Sequence, residues 1–159
     1  NRMLGGQFTS RINLNLREAH GYSYGASSRF RFLRNGGWFV AGAGVRTPVT
    51  APAVREMIKE IARIGEEPVT PQEMGLAKAS LVRALPSSFE TTSDTVAMLA
   101  EIPIYNLNLT YYTDFTKKVE AVTDANVQDV ARKSLVPGKF VVVAVGDRKT
   151  TEGGLKDPG

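Results

Sequence analysis

The sequence lacks cysteine entirely and contains a single histidine, His20, among its 159 residues. Without cysteine the chain has no disulfide, no thiolate metal site and no cysteine nucleophile, and its redox compartment stays open. A zinc hydrolase needs about three protein ligands, usually histidines with a carboxylate, so one histidine predicts that this chain holds no metal and no cofactor of its own. The same histidine would have to serve any Ser-His-Asp triad, and no nucleophile-elbow pattern accompanies it.

Long apolar runs are missing as well. A membrane-spanning helix needs about 18 or more consecutive apolar residues, and no such stretch occurs, so we expect no membrane partner. The first residues also lack the basic-then-apolar layout of a secretory signal. With 42% hydrophobic residues the chain is long enough to bury a core, and residues 1–159 are predicted to form one domain.

Negative charge is scarce in the first part of the chain. Residues 1–46 contain seven arginines and one acid, Glu18, for a net charge of +6, whereas the remainder has 13 basic and 15 acidic residues. A face of arginines suits an acidic partner, which can be a carboxylate-rich peptide, a phosphate backbone or an acidic domain, although a plain solvated face gives the same composition. A nucleic-acid partner is not expected, because the sequence has no recognition-helix or RNA-binding signature.

The first half of the chain alternates helix and strand patterns. Apolar residues every four positions predict a helix from about Phe8 to Arg17, which ends near His20-Gly21. Residues 22–32 then alternate in strand fashion, with Tyr24 and Ala26 expected on one face and Arg29 and Arg31 on the other, polar face. Because residues 34–37 tolerate positive φ and residues 38–46 are again strand-like, we predict an antiparallel hairpin.

The remainder is mostly helical by pattern. Helices are predicted from about residue 50 to Gly65, from Pro71 behind a capping box at Thr70, over about 88–101 before Pro103, and from Asp124 until Pro137-Gly138. A further apolar stripe begins at Tyr111. The run 140–145 predicts a closing strand, and 150–159 reads as a loose tail. These elements predict an α+β fold, a mainly antiparallel sheet with helices packed on one face.

One short segment carries candidate chemistry. Arg17 falls at a predicted helix end and Tyr24 at the start of the following strand, so the two side chains can converge across the turn. A guanidinium suits a peptide carbonyl, and a phenol can donate to an oxyanion as it forms. Ordinary structure is the alternative, because an arginine in a last helical turn favours the helix dipole and tyrosine is a common strand residue.

This segment and others resemble the insulinase and mitochondrial-processing-peptidase family of metallopeptidases, and in particular the C-terminal, zinc-less half of its bacterial members. Residues 4–12 read Leu-Gly-Gly-Gln-Phe-Thr-Ser-Arg-Ile against the family's Leu-Gly-Gly-x-Phe-x-Ser-Arg-Leu. The similarity continues in collinear order through Leu16-Arg17-Glu18, Gly21-Tyr22-Ser23-Tyr24, Pro71-Gln72-Glu73, Tyr111-Tyr112, residues 122–127 and residues 141–147. Each motif is weak alone, and their order and spacing make the resemblance specific.

The resemblance implies an enzyme of two homologous α+β halves, fused or separate, that close around an unfolded peptide. One half holds zinc, and the other contributes an arginine and a tyrosine. By position these are Arg17, which would hold the substrate backbone, and Tyr24, which would stabilise the tetrahedral intermediate. Tyr22 competes for the second role, but the family's seven-residue interval favours Tyr24.

The zinc motif is absent here, so no peptidase activity is expected from this chain alone, and zinc is expected in the partner half. The family half also has upstream strands and a helix that this chain lacks, which suggests N-terminal truncation. A scaffold that keeps the fold only for assembly is the alternative function. Bacterial periplasm and cytoplasm are both compatible compartments.

Overall fold

The structure, a computed structural model, describes residues 1–136 and 138–156. A short helix α1 (Arg11–Asn13) continues into a π-helical turn (Leu14–Ala19), which is followed by strands β1 (Ser23–Leu33) and β2 (Gly36–Val45). A 3₁₀ turn (Thr47–Val49) leads into the helices, which are α2 (Thr50–Glu66), α3 (Pro71–Ser87), α4 (Thr92–Tyr105), α5 (Phe115–Glu120), α6 (Asp124–Ser134) and α7 (Arg148–Leu155).

The predicted hairpin is confirmed. β1 and β2 pair antiparallel from Leu33↔Gly36 outward, and the register is regular as far as Ala26↔Ala43. A β-bulge then interrupts the ladder between Ser23 and Ala26. The bulge shifts the alternation by one residue, so Ser23 is buried and Tyr24 is exposed. The expectation that Tyr24 shares a face with Ala26 is therefore wrong.

Helices cover one face of this hairpin. Cross-strand residues Phe30 and Phe39 lie on the helix side with ring centroids 4.9 Å apart. The opposite face carries Arg29 and Arg31 and is exposed. The core between helices and hairpin is built from Ile12, Leu16, Ala26, Ala53, Ile61 and Ile64, all of them buried. The fold is α+β, as the sequence pattern predicts.

Helix starts follow the capping signals closely. Thr70 accepts from the backbone N–H of Glu73, whose carboxylate accepts from the N–H of Thr70, so the predicted capping box is present. A second such box links Thr123 and Asn126 at the start of α6. α6 ends at Ser134, and Pro137, which was expected to stop it, lies outside the described residues.

Two helix ends differ from expectation. α4 passes through Pro103 and ends at Tyr105, where Asn106 takes a left-handed conformation with φ of 53°. Pro103 has no N–H to donate to the carbonyl of Leu99, one turn earlier, and Leu99 is a 49% exposed residue. The stripe that begins at Tyr111 forms a helix only over Phe115–Glu120, after a turn.

The predicted closing strand is not formed. Residues 140–145 have no strand assignment, and Val141, Val143 and Val145 are 88%, 81% and 99% exposed. This segment faces β2 across a groove of about 520 Å³ that is floored by apolar residues of α2. Strand-forming residues make a strand only when another backbone pairs with them, and none of the described residues pairs with this segment across the groove.

The predicted loose tail is also corrected. Residues 150–155 belong to α7, whose start is capped by Asp147, and Thr151 is buried. Residues 157–159 lie outside the described residues. No helix within the described ranges combines the length and the apolarity needed to cross a bilayer.

Candidate functional site

Arg17 lies in the π-helical turn Leu14–Ala19. Single π-turns are rare and occur frequently at functional sites. Leu16 is fully buried beneath the turn. On the α2 side the Asn15 amide donates to Oε2 of Glu56 and to Oε1 of Glu60, each over 2.9 Å. These two hydrogen bonds fix the turn to α2. The donation from Asn15 also holds the pKa of Glu56 below its usual value.

The Arg17 side chain contacts two aromatic rings. Its guanidinium carbon lies 4.5 Å from the centroid of the Phe8 ring and 5.1 Å from the centroid of the Tyr24 ring. Both distances fall within the range of cation–π attraction. Arg17 and Tyr24 are therefore brought together across the helix-to-strand turn, and Phe8 joins them. We name these three residues the aromatic–arginine corner.

The bulge in β1 determines which tyrosine reaches this corner. The Ser23 hydroxyl shares its single proton between the carbonyl oxygens of Gly25 and Gly44 and so holds the irregular backbone. Tyr24 then points outward and is 91% exposed. Tyr22, the competitor, instead stacks on His20 with ring centroids 4.8 Å apart. The geometry places Tyr24 beside Arg17, and Tyr22 elsewhere.

A buried amide ties the two ring-bearing segments together. Asn13, which is 4% exposed, donates from Nδ2 to the carbonyl oxygen of Phe8 over 2.7 Å. Its Oδ1 accepts from the backbone N–H of Ala26 over 2.9 Å. One side chain thus fixes the backbone at Phe8 relative to the strand that carries Tyr24.

The corner offers hydrogen-bond donors to solvent. The Arg17 side chain is 30% exposed, and its Nε lies 3.3 Å from Oε1 of Glu18. This contact leaves guanidinium donors for a ligand, since arginine carries five N–H groups. Tyr24 adds a phenolic donor. Together the two side chains are able to donate to a carbonyl and to a neighbouring oxyanion.

Sequence reasoning missed Phe8 and Asn13. Phe8 was assigned to the helical stripe, but the helix begins at Arg11 with Ser10 at the N-cap position. Serine is a favoured N-cap residue, so Ser10 was the available signal that Phe8 precedes the helix. No sequence signal identifies Asn13, because its role depends on two backbone groups that only the fold brings close.

The comparison with known families bears directly on this site. The family model described as the peptidase M16 inactive domain matches residues 1–81, just over half of the 159 residues. The chain belongs to this family. The resemblance read from the collinear motifs is therefore confirmed, and every residue of the aromatic–arginine corner falls inside the matched part of the M16 inactive domain. No curated protein sequence matches the chain.

Solved structures share the fold of this M16 inactive domain. The crystal structure of a peptidase M16 inactive domain from Pseudomonas fluorescens is 28% identical with a TM-score of 0.77, covering 85% of this chain and 32% of that chain. A conserved protein from Enterococcus faecalis V583 is 21% identical with a TM-score of 0.74, covering 84% and 31%. A protease from Helicobacter pylori is 18% identical with a TM-score of 0.68, covering 83% and 32%. The chain spans about a third of the length of each structure.

The described residues of this M16 inactive domain do not form a site for zinc. Within residues 1–136 and 138–156, no group of three or more His, Asp or Glu side chains is arranged to hold a metal ion. His20 lies 3.7 Å from a Glu56 oxygen, and no second histidine exists in the sequence to join it.

Proposed function

We propose that this M16 inactive domain binds the backbone of an extended peptide and completes the active site of a homologous, zinc-bearing half. The convergence of Arg17 and Tyr24 at one solvent-facing corner carries this proposal. The spacing in the sequence allows the guanidinium of Arg17 and the phenol of Tyr24 to meet, and in the fold they lie side by side. The family, whose members pair homologous halves, supports such a partner.

Arg17 is assigned the binding role. Its guanidinium is a rigid fork of donors that matches a peptide carbonyl, and Phe8 and Tyr24 limit the positions that this fork can take. A side chain held in place loses less rotamer entropy when it binds, so more of the interaction appears as affinity. Arg17 is therefore suited to hold the peptide in register before any bond is broken.

Tyr24 is assigned the stabilising role. Its ring is held beside Arg17, and its 91% exposed side chain is available to a partner surface. A phenol that donates to the oxygen of a tetrahedral intermediate acts only as charge develops there. Such an interaction lowers the barrier rather than the substrate dissociation constant. We expect loss of the Tyr24 hydroxyl to lower kcat more than it raises KM.

The test is kinetic and uses the domain together with its zinc-bearing half. Arg17→Ala and Tyr24→Phe are each expected to lower kcat/KM for an internally quenched peptide by about a hundredfold. Two matched controls, Arg29→Ala on the exposed hairpin face and Tyr22→Phe beside His20, are expected to leave it unchanged. If Arg17→Ala and Tyr24→Phe both stay within about threefold of the unmodified pair, the proposed role is wrong. A scaffold that keeps only the fold is then the better description.

A further inference from the structure

A cleft opens beside Arg17 that the roles proposed above do not use. It measures about 430 Å³ and lies between the loop Gly5–Phe8 and the β1 segment 25–28. Asn13 and Arg17 complete its lining. We propose that this cleft is a side-chain subsite, and that it receives an apolar rather than a basic side chain from a peptide residue next to the amide bond held by Arg17. The inference rests on the function proposed above and specifies its substrate.

Backbone pairing cannot be what this cleft offers. The β1 edge that borders it is already used, because the N–H of Ser28 donates to the carbonyl of Gly5 over 2.8 Å and the N–H of Ala26 donates to Asn13. The Ser28 carbonyl accepts from the Asn1 amide. A peptide therefore cannot add here as another strand. The peptide can still use the open volume of the cleft, which one of its side chains can enter.

The lining favours a side chain without hydrogen-bonding needs. Both functional atoms of the Asn13 amide are already bonded, and the Ser28 hydroxyl donates to Oδ1 of Asn1 over 2.7 Å. None of the buried side-chain atoms that lack a partner in the described ranges belongs to the cleft. At these bonded atoms a polar side chain would lose water without gaining a new hydrogen bond. An aliphatic or aromatic side chain would gain from burial.

Charge at the rim excludes basic side chains. Arg17 borders the cleft, and Nη1 of Arg2 donates to the carbonyl of Gly6 in its lining over 3.3 Å. Glu18 offsets Arg17 only in part, because its side chain is 54% exposed to water. Two guanidinium groups beside one cleft repel a lysine or arginine side chain of the substrate. The predicted preference is therefore apolar over basic.

Gly25 provides a steric test of the cleft. Among the described residues, a Cβ at this position would find only Oδ1 of Asn13, at 4.0 Å, so a side chain fits the local backbone and extends into the open volume. Gly42 on β2 is a matched control, because a Cβ there meets no described residue within 4 Å and Gly42 lines the groove at the other edge of the hairpin. Gly25→Ala adds a methyl group to the cleft, and Gly25→Val adds a larger isopropyl group. Gly42→Val adds the same isopropyl group at the other groove.

The experiment measures kcat/KM of the reconstituted pair on peptides that differ only at the residues flanking the scissile bond, with Ala, Leu, Phe or Lys at each. The unmodified pair should prefer Leu and Phe over Lys at one of the two positions. Gly25→Val should lower the Phe-to-Ala ratio at that position about tenfold, with Gly25→Ala intermediate and Gly42→Val unchanged. Thermal unfolding confirms that each variant is folded.

An unchanged Phe-to-Ala ratio in both folded Gly25 variants overturns the subsite. That outcome leaves the proposed function intact, provided Arg17→Ala still lowers turnover. Failure of the proposed function looks different, because Arg17→Ala and Tyr24→Phe then have no effect on any peptide in the series. A preference for Lys in the unmodified pair also contradicts the inference, because it would show that the two guanidinium groups at the rim do not repel a basic side chain.

Discussion

Arg11, the first residue of α1, donates from Nε to Oε1 of Glu73 in the first turn of α3 over 2.6 Å. A second bond, from Nη2 to Oε2, measures 3.0 Å, so the pair is bidentate. The Arg11 side chain is 6% exposed, and the contact joins residues 62 positions apart. This ion pair fastens the helix that leads to Arg17 onto the helical layer.

The ion pair predicts a pH-dependent stability. Hydrogen bonding from Arg11 lowers the pKa of Glu73 to about 2 from 4.5. Because the folded-state pKa lies below the unfolded value, the stabilisation is present above about pH 4.5 and is lost as the pH falls toward 2. Glu73→Gln should therefore lower the free energy of unfolding at pH 7 by about 2 kcal/mol. The difference from the unmodified chain should shrink toward pH 2, as measured by urea unfolding.

The exposed pair Arg148–Glu152 on α7 is the control for this prediction. Both of its side chains are largely in water, and such pairs contribute little. Glu152→Gln should give an unfolding curve that overlays the unmodified one. If Glu73→Gln also leaves the urea unfolding curve at pH 7 unchanged, the Arg11–Glu73 pair does not stabilise the fold.

Asn13 is predicted to hold the aromatic–arginine corner in shape. Asn13→Ala leaves the Phe8 carbonyl and the Ala26 N–H without their partner, at a cost of about 2–3 kcal/mol. Protons near the Arg17 guanidinium should carry ring-current shifts from Phe8 and Tyr24 in the NMR spectrum. In Asn13→Ala these shifts should move toward random-coil values, while the methyl signals of buried Ile12 stay in place.

Asn108→Ala serves as the comparison, because that amide is exposed and bonds to the nearby Thr110. It should change neither stability nor the Arg17 signals. Arg17 shifts that survive in Asn13→Ala would mean that the two rings hold the arginine without help from the buried amide.

Tyr112 should be a late-titrating tyrosine. Its hydroxyl shares its single proton between the Met98 carbonyl and Oε2 of Glu101, and burial together with the bond to Glu101 raises the pKa of Tyr112 to about 12 from 10. A folded-state pKa above the unfolded value means that this stabilisation is complete below about pH 10 and is lost between 10 and 12. Difference absorbance should show one phenol titrating near pH 12, and Tyr112→Phe should remove it. Loss of a lower-pH phenol instead would contradict the assignment.

Local chemistry made much of the fold predictable. The capping box at Thr70, the glycine that follows His20 and the residues between β1 and β2 each specify their backbone through near neighbours, so the helix starts and the hairpin could be read from sequence. The proximity of Arg17 and Tyr24 was predictable for the same reason, since only a short turn separates them.

Features that depend on distant partners could not be read. The bulge arises because Ser23 bonds across the hairpin to Gly44, and alternation alone gives no sign of it. Residues 140–145 have strand composition, but composition does not state whether a neighbouring backbone is present. Asn13 bonds to the backbone of Phe8 and of Ala26, which both lie outside its own helix. In each case the missing information was a tertiary contact.

The most direct test of the central claim is a double-mutant cycle on Arg17 and Tyr24 in the domain reconstituted with its zinc-bearing half. Because the two groups act on one bound peptide, Arg17→Ala plus Tyr24→Phe should lower kcat/KM by less than the product of the single effects, each about a hundredfold. The coupling should vanish when Tyr22→Phe replaces Tyr24→Phe. Turnover that stays unchanged in both single variants and in the double variant would contradict the account.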